Sequence, residues 1–210
     1  MTASGSAAVL AALANRRSYY GLRAASPIPD SKIRAILSEI MLKTPSSFNS
    51  QSTRAVVLLK AHHQRFWDIV RQALIDHIGA DQFAALGTGA KMDMFRRAYG
   101  TVLFYEDQDV VKGLKEQFPL YADHFDSFSE HTNAMHQLMA WIALEAEGFG
   151  ANLQHYNPLP DAKAAAEFGI PASWKLRAQL VFGAPETDDP VPPKEKKPLD
   201  ELLRVLGADE

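Results

Sequence analysis

Cysteine is absent from the 210-residue chain. That absence excludes disulfides, thiolate nucleophiles, thiolate zinc sites and cysteine-ligated iron–sulfur clusters, and it agrees with a reducing compartment, the cytoplasm. No apolar run approaches the roughly 18 to 20 residues that cross a bilayer, so no membrane span is expected. Neither sign of charge dominates: 22 Lys and Arg stand against 25 Asp and Glu, a net charge of −3 that gives no bulk reason to bind nucleic acid or an anionic membrane. Residues 7–14 are small and apolar, but no basic residue precedes them and Asn15-Arg16-Arg17 follows, so neither a secretory nor a mitochondrial leader is expected. The histidines lack metal-site spacing. His131 and His136 are five apart and off one helical face, and His62 and His63 are adjacent and diverge, so no metal is expected.

With 47% hydrophobic and 22% charged residues, the chain reads as a globular protein with a sizeable core. Its length suits one domain over residues 1–210, with 184–210 as an extended C-terminal arm rich in Pro, Asp, Glu and Lys.

Periodicity predicts the elements. Residues 4–15 form an alanine-rich helix. A second helix follows Pro27 and Pro29, capped by Asp30 or Ser31, with Ile33, Ile36, Leu37, Ile40 and Met41 on its buried stripe. Thr44-Pro45 ends it. The run 54–60 reads as a strand buried on both faces, and 101–105 as a second. Helices are expected over 64–78, over 81–98 with a break near Gly87 and Gly89, and over 109–117. Ser127 and Glu130 fit a capping box opening the longest helix, which runs to Glu147. Its apolar face is expected from Phe128, Met135, Leu138, Met139, Ile142 and Ala146, and Gly148 and Gly150 stop it. An extended segment over 151–156, a short helix over 161–168 and an alternating strand over 174–182 complete the order. It is not a clean βα alternation, so the class is α+β: a small sheet surrounded by helices, one of them long and central.

Three segments carry chemistry. Arg16-Arg17-Ser18 sets two guanidinium groups and a hydroxyl at a helix-to-loop junction. Pro45-Ser46-Ser47-Phe48-Asn49-Ser50-Gln51 is a polar loop leading into a strand. Lys194-Glu195-Lys196-Lys197-Pro198 supplies cations almost a chain length away. Two cationic patches and an amide-rich loop suit a ligand with a phosphate at one end and a hydrogen-bonding ring at the other, and flavin mononucleotide (FMN) is such a ligand.

With Gly148-Phe149-Gly150-Ala151-Asn152-Leu153-Gln154-His155-Tyr156-Asn157-Pro158, these segments resemble, in order and over nearly the whole chain, the FMN-dependent nitroreductase family in its compact fungal and bacterial branch. The resemblance implies an intertwined homodimer with FMN at the interface. It implies ping-pong two-electron reduction of nitroaromatic or quinone-type small-molecule acceptors by NAD(P)H, with the flavin and no dedicated side chain carrying the chemistry. On this likeness Arg16, Arg17 and Ser18 hold the phosphate, with Lys194 and Lys196 closing from the other side. Asn49 and Gln51 contact the flavin, and Gln154, His155 and Tyr156 lie beside the ring. Tyr20 stands where many relatives carry a lysine near the ring's pyrimidine edge, which leaves Arg54 or His155 as the candidate cation. The departure at Tyr20 also opens an alternative, a flavin-binding stress-response or regulatory protein with little turnover.

Overall fold

The computed structural model describes residues 5–207. The first residue of the predicted N-terminal helix and the last three of the arm lie outside them. The elements are α1 (Ala7–Asn15), β1 (Leu22–Arg23), α2 (Asp30–Lys43), β2 (Thr53–Leu59), α3 (Lys60–Ile78), α4 (Ala80–Ala85), α5 (Thr88–Arg96) and β3 (Gly100–Asp107). They continue with α6 (Gln108–Gln117), α7 (Phe125–Ala146), β4 (Gly150–Gln154), α8 (Asp161–Phe168), β5 (Trp174–Pro185) and α9 (Leu199–Leu202). The α+β class predicted from the sequence is the observed one.

β5, twelve residues long, is the spine of the sheet. One of its edges pairs with β3, which pairs in turn with β2, and its other edge takes β4 and then β1, all antiparallel. Alternate residues of β3 feed opposite layers, as a pleated strand requires. Leu103 and Tyr105 join Phe66, Trp67, Met92 and Phe95 from α3 and α5. Val102 and Phe104 join Ile33, Leu37, Ala140 and Leu144 from α2 and α7. Helices thus cover both faces of the sheet, and β3 is buried along almost its whole length.

Three local expectations are corrected. β2 is an edge strand paired only with β3, and Val57 on it is exposed, so it is not buried on both faces. Asp30 does not cap α2. Its carboxylate accepts from Lys60 at 2.6 Å and from the Tyr99 hydroxyl, tying α2 to the start of α3. α7 begins at Phe125, two residues before the expected cap. Ser127 therefore sits inside the helix and cannot accept from an unpaired first-turn amide.

The larger correction concerns the face of α7. Met135, Leu138 and Met139, expected in the core, are exposed. The buried face carries Ser129, Thr132, Asn133 and His136 beside Phe125, Ala140 and Leu144. Each buried polar group has a partner. Asn133 Nδ2 donates to the Tyr105 carbonyl at 3.0 Å and to Glu106 at 2.8 Å, Ser129 donates to the Asp126 carbonyl, and His136 bonds the Thr132 carbonyl. Buried polar groups persist when paired in this way. The apolar stripe is left outside, forming with Ile40 and Pro45 a groove almost free of polar surface.

Candidate functional site

The chain leaving α1 runs beside β4. Ser18 bridges Ala151, and the Tyr19 N–H donates to the Ala151 carbonyl at 2.9 Å. Asn152 Nδ2 donates to the Tyr19 carbonyl at 2.7 Å, and Gln154 Nε2 donates to Asn152 Oδ1 at 2.9 Å. The approach is close because Gly150 has no side chain: a Cβ there would lie 2.8 Å from Tyr19 Cβ and Cγ. The glycine expected to stop a helix therefore also lets the 16–20 segment lie against the sheet.

Two anchors on α7 fix this segment. The Arg17 N–H donates to Glu145 Oε2 at 2.7 Å, and Trp141 Nε1–H donates to Glu145 Oε1 at 2.7 Å. The Arg16 guanidinium lies over the Trp141 ring, 4.5 Å from its centroid. Burial pushes the Glu145 carboxyl up to about 7, against the opposing pull of these donors and of Arg16. Nothing in the sequence singled out Glu145. Its one signal is an acid four residues after a tryptophan near a helix end.

Arg16, Arg17, Ser18 and Tyr20 line one side of a cleft of about 680 Å³, and Val191, Pro193, Lys194 and Lys196 of the arm line the other. The structure therefore brings together six of the eleven predicted binding residues from opposite ends of the chain. Four are cations, two (Ser18 and Tyr20) carry hydroxyls, and no acidic side chain is among the lining residues. That donor set fits a phosphate: guanidinium and ammonium groups with a hydroxyl, in a concavity of ligand size.

The other five residues lie elsewhere. Asn49 and Gln51 are exposed on a loop held by the Ser47 N–H donating to Thr132 Oγ1 at 3.3 Å and the Gln51 N–H donating to Ser46 Oγ at 3.0 Å. Phe48, Asn49 and Gln51 have φ of 56°, 52° and 48°, three left-handed non-glycine residues in four, a strain that clusters at functional loops. Phe48 packs on Phe118, Tyr121, Phe125 and Phe128, with centroids 5.1 to 6.4 Å away. The two halves of the predicted site thus hang from Thr132 and Glu145 of one helix, about 20 Å apart at 1.5 Å per residue.

Gln154 is buried and reaches the segment only through Asn152, while His155 is exposed. Tyr156 turns its ring onto Trp67 and Phe95, at 5.6 and 6.1 Å, within the core, and burial pushes its hydroxyl up to about 12. Arg54, a candidate cation, is committed to Asp107 at 3.0 Å.

The chain is thus a helix-covered antiparallel sheet with a cationic cleft where the N-terminal segment meets the C-terminal arm. The nitroreductase family's sequence profile matches residues 13–184, and the chain belongs to the nitroreductase family. It is similar to two proteins of Saccharomyces cerevisiae. HBN1 is 40% identical over 195 residues, 92% of this chain and 94% of that protein, and the nitroreductase FRM2 is 33% identical over 198 residues, 93% and 95%. Among solved structures, nitroreductase CinD from Lactococcus lactis in complex with chloramphenicol matches with a TM-score of 0.83 and 40% identity, covering 94% of this chain and 99% of that one. The same enzyme with 4-nitrophenol matches with a TM-score of 0.82.

Proposed function

We propose that residues 1–210 form one FMN-binding domain that works as a cytoplasmic homodimer, reducing nitroaromatic or quinone-type acceptors with NAD(P)H by ping-pong two-electron transfer. The observation that carries the reading is the cleft lined by Arg16, Arg17, Ser18, Tyr20, Lys194 and Lys196, cationic and without a lining acid. When bound, FMN supplies the two-electron chemistry that no side chain here can. The protein's part is to bind and orient: Arg16 and Ser18 offer fixed donors, and the two lysines add charge from the arm.

The dimer reading rests on two features. The cleft and the Asn49–Gln51 loop are about 20 Å apart along α7, too far to be neighbours on one chain. The apolar stripe of α7 faces outward. A two-fold assembly packing that stripe on its copy would carry the loop of one subunit toward the cleft of the other. The relative CinD was solved with chloramphenicol and 4-nitrophenol, both nitroaromatic, which supports the acceptor class.

The test is the visible spectrum of the purified protein before and after anaerobic NADPH. Flavin bands that bleach are expected, together with their loss in Arg16→Ala. Bands that persist favour the regulatory flavoprotein that Tyr20 suggests. No bands after FMN is added would end the flavin reading.

A further inference from the structure

Arg17 differs from the other cations of the cleft in having both polar ends engaged. Its N–H is held by Glu145 at 2.7 Å, and Glu145 is fixed to α7 by Trp141. Its guanidinium donates through Nη2 to the Pro192 carbonyl of the arm. The root of the arm is tied to the body by the Glu186 N–H to the Gly21 carbonyl and by Arg23 Nε to the Pro185 carbonyl, each 3.0 Å. Beyond that root, among the described residues, the bond from Arg17 is the only hydrogen bond tying residues 187–197 to the body of the protein. Arg16, by contrast, rests a face of its guanidinium on Trp141 and keeps its N–H edge for a ligand.

The stretch around Pro192 makes this one bond effective. Pro190, Pro192 and Pro193 have restricted φ and no N–H, so the segment is stiff and fixing one carbonyl sets the course of the next residues. In extended chain, residues two apart share a side. Lys194 and Lys196 line the cleft, and Glu195 between them does not.

We propose that Arg17 is a positioning residue, a clasp that holds the arm so that Lys194 and Lys196 face the anion cleft, and that Arg16, Ser18 and the two lysines make the phosphate contacts. The proposal rests on the FMN reading above. It departs from the role that the family resemblance gives to both arginines.

Two measurements test it. In the first, FMN affinity is read from quenching of flavin fluorescence for Arg17→Ala, alone and in the Lys194→Ala/Lys196→Ala background. Arg17→Ala weakens binding about tenfold in the natural chain, the scale of one charge-assisted contact, and has no further effect when the lysines are gone. In the second, a nitroxide on Glu195→Cys, unique because the chain has no other cysteine, reports arm mobility without FMN. Its spectrum narrows in Arg17→Ala and stays unchanged in Arg16→Ala. Arg17→Met, which keeps the aliphatic stem, gives the same two results if Arg17→Ala folds poorly. An equal loss in both backgrounds, or an unchanged nitroxide spectrum, overturns the clasp. If Arg16→Ala leaves FMN affinity intact, the phosphate cleft itself is wrong, and the nitroxide still decides the clasp.

Discussion

Glu145 accepts the backbone N–H of Arg17 at 2.7 Å, so a partly buried carboxyl on α7 holds the segment that forms the cleft. Burial holds its proton to about 7, against 4.5 for a free glutamate. The folded chain therefore binds the proton more tightly than the unfolded chain. Stability from this group is complete below pH 4.5 and is lost as pH rises through 7. Asp161, pushed up to about 6 by burial, acts in the same direction. Glu145→Gln cannot ionise, so its unfolding free energy should fall less between pH 5 and 8. The difference in slope is on the order of 1 to 2 kcal/mol, reduced from the full shift because the group is partly solvated. The absolute stability of the variant is a poor test, since glutamine has one acceptor for two donors. Urea titrations at the two pH values decide it, and equal slopes would mean that the carboxyl is not desolvated.

Glu106, fully buried, accepts from Ser52 Oγ and Thr53 Oγ1 at 2.5 Å each and from Asn133 Nδ2 at 2.8 Å. It joins the root of the 46–52 loop to β3 and α7. Glu106→Ala leaves three buried donors without their acceptor, so a loss of roughly 3 to 5 kcal/mol is expected. Amide exchange should rise first over residues 46–53, ahead of global unfolding. Uniform exchange across the chain would show that Glu106 supports the core and not the loop.

Much of the fold was legible because its signals are local. The apolar run in β3 could only be a buried strand, and α8 lies where its flanking proline and glycine set it. α7 misled because periodicity shows which residues share a face and not which face is inside. Its apolar stripe is exposed, while Thr132 and Asn133 are buried with partners from the 46–52 loop and β3 that sequence spacing cannot reveal. At the site, the chemistry of two cationic patches hinted that Arg16 and Lys196 share a ligand, but with 180 residues between them only the family resemblance set both at its phosphate end. Tyr156 sits in a suggestive motif, but a large ring beside Trp67 and Phe95 gains more from the core.

Gly150→Ala separates the placement of the site from the integrity of the fold. The added Cβ meets Tyr19 Cβ and Cγ at 2.8 Å and Leu22 Cδ2 at 2.9 Å, so the 16–22 segment must move off β4. The Ser18–Ala151 bridge and the bond from Tyr19 to Ala151 loosen with it. Overpacking of this kind costs about 1 to 3 kcal/mol. FMN affinity should fall tenfold or more, because Arg16 and Ser18 move together. Calorimetry with FMN titration checks both, and unchanged affinity with lowered stability would detach the cleft from the β4 contact.

The outward stripe of α7 gives the sharpest test of assembly. Leu138 and Met139 are 42% and 46% exposed in the single chain, so a charge at either position should cost the isolated subunit less than about 1 kcal/mol. At the centre of a dimer interface the same charge would be desolvated without a partner and cost several kcal/mol. Leu138→Glu is therefore expected to elute as a monomer in size exclusion with light scattering, with a circular dichroism spectrum like that of the natural chain. It should also lose FMN although every cleft residue is intact, because in the proposed dimer the Asn49–Gln51 loop is supplied across the two-fold axis. A variant that stays dimeric would place the interface elsewhere. A monomer that keeps full FMN affinity would mean that each cleft is complete within one chain and that the loop, about 20 Å away along α7, serves another purpose.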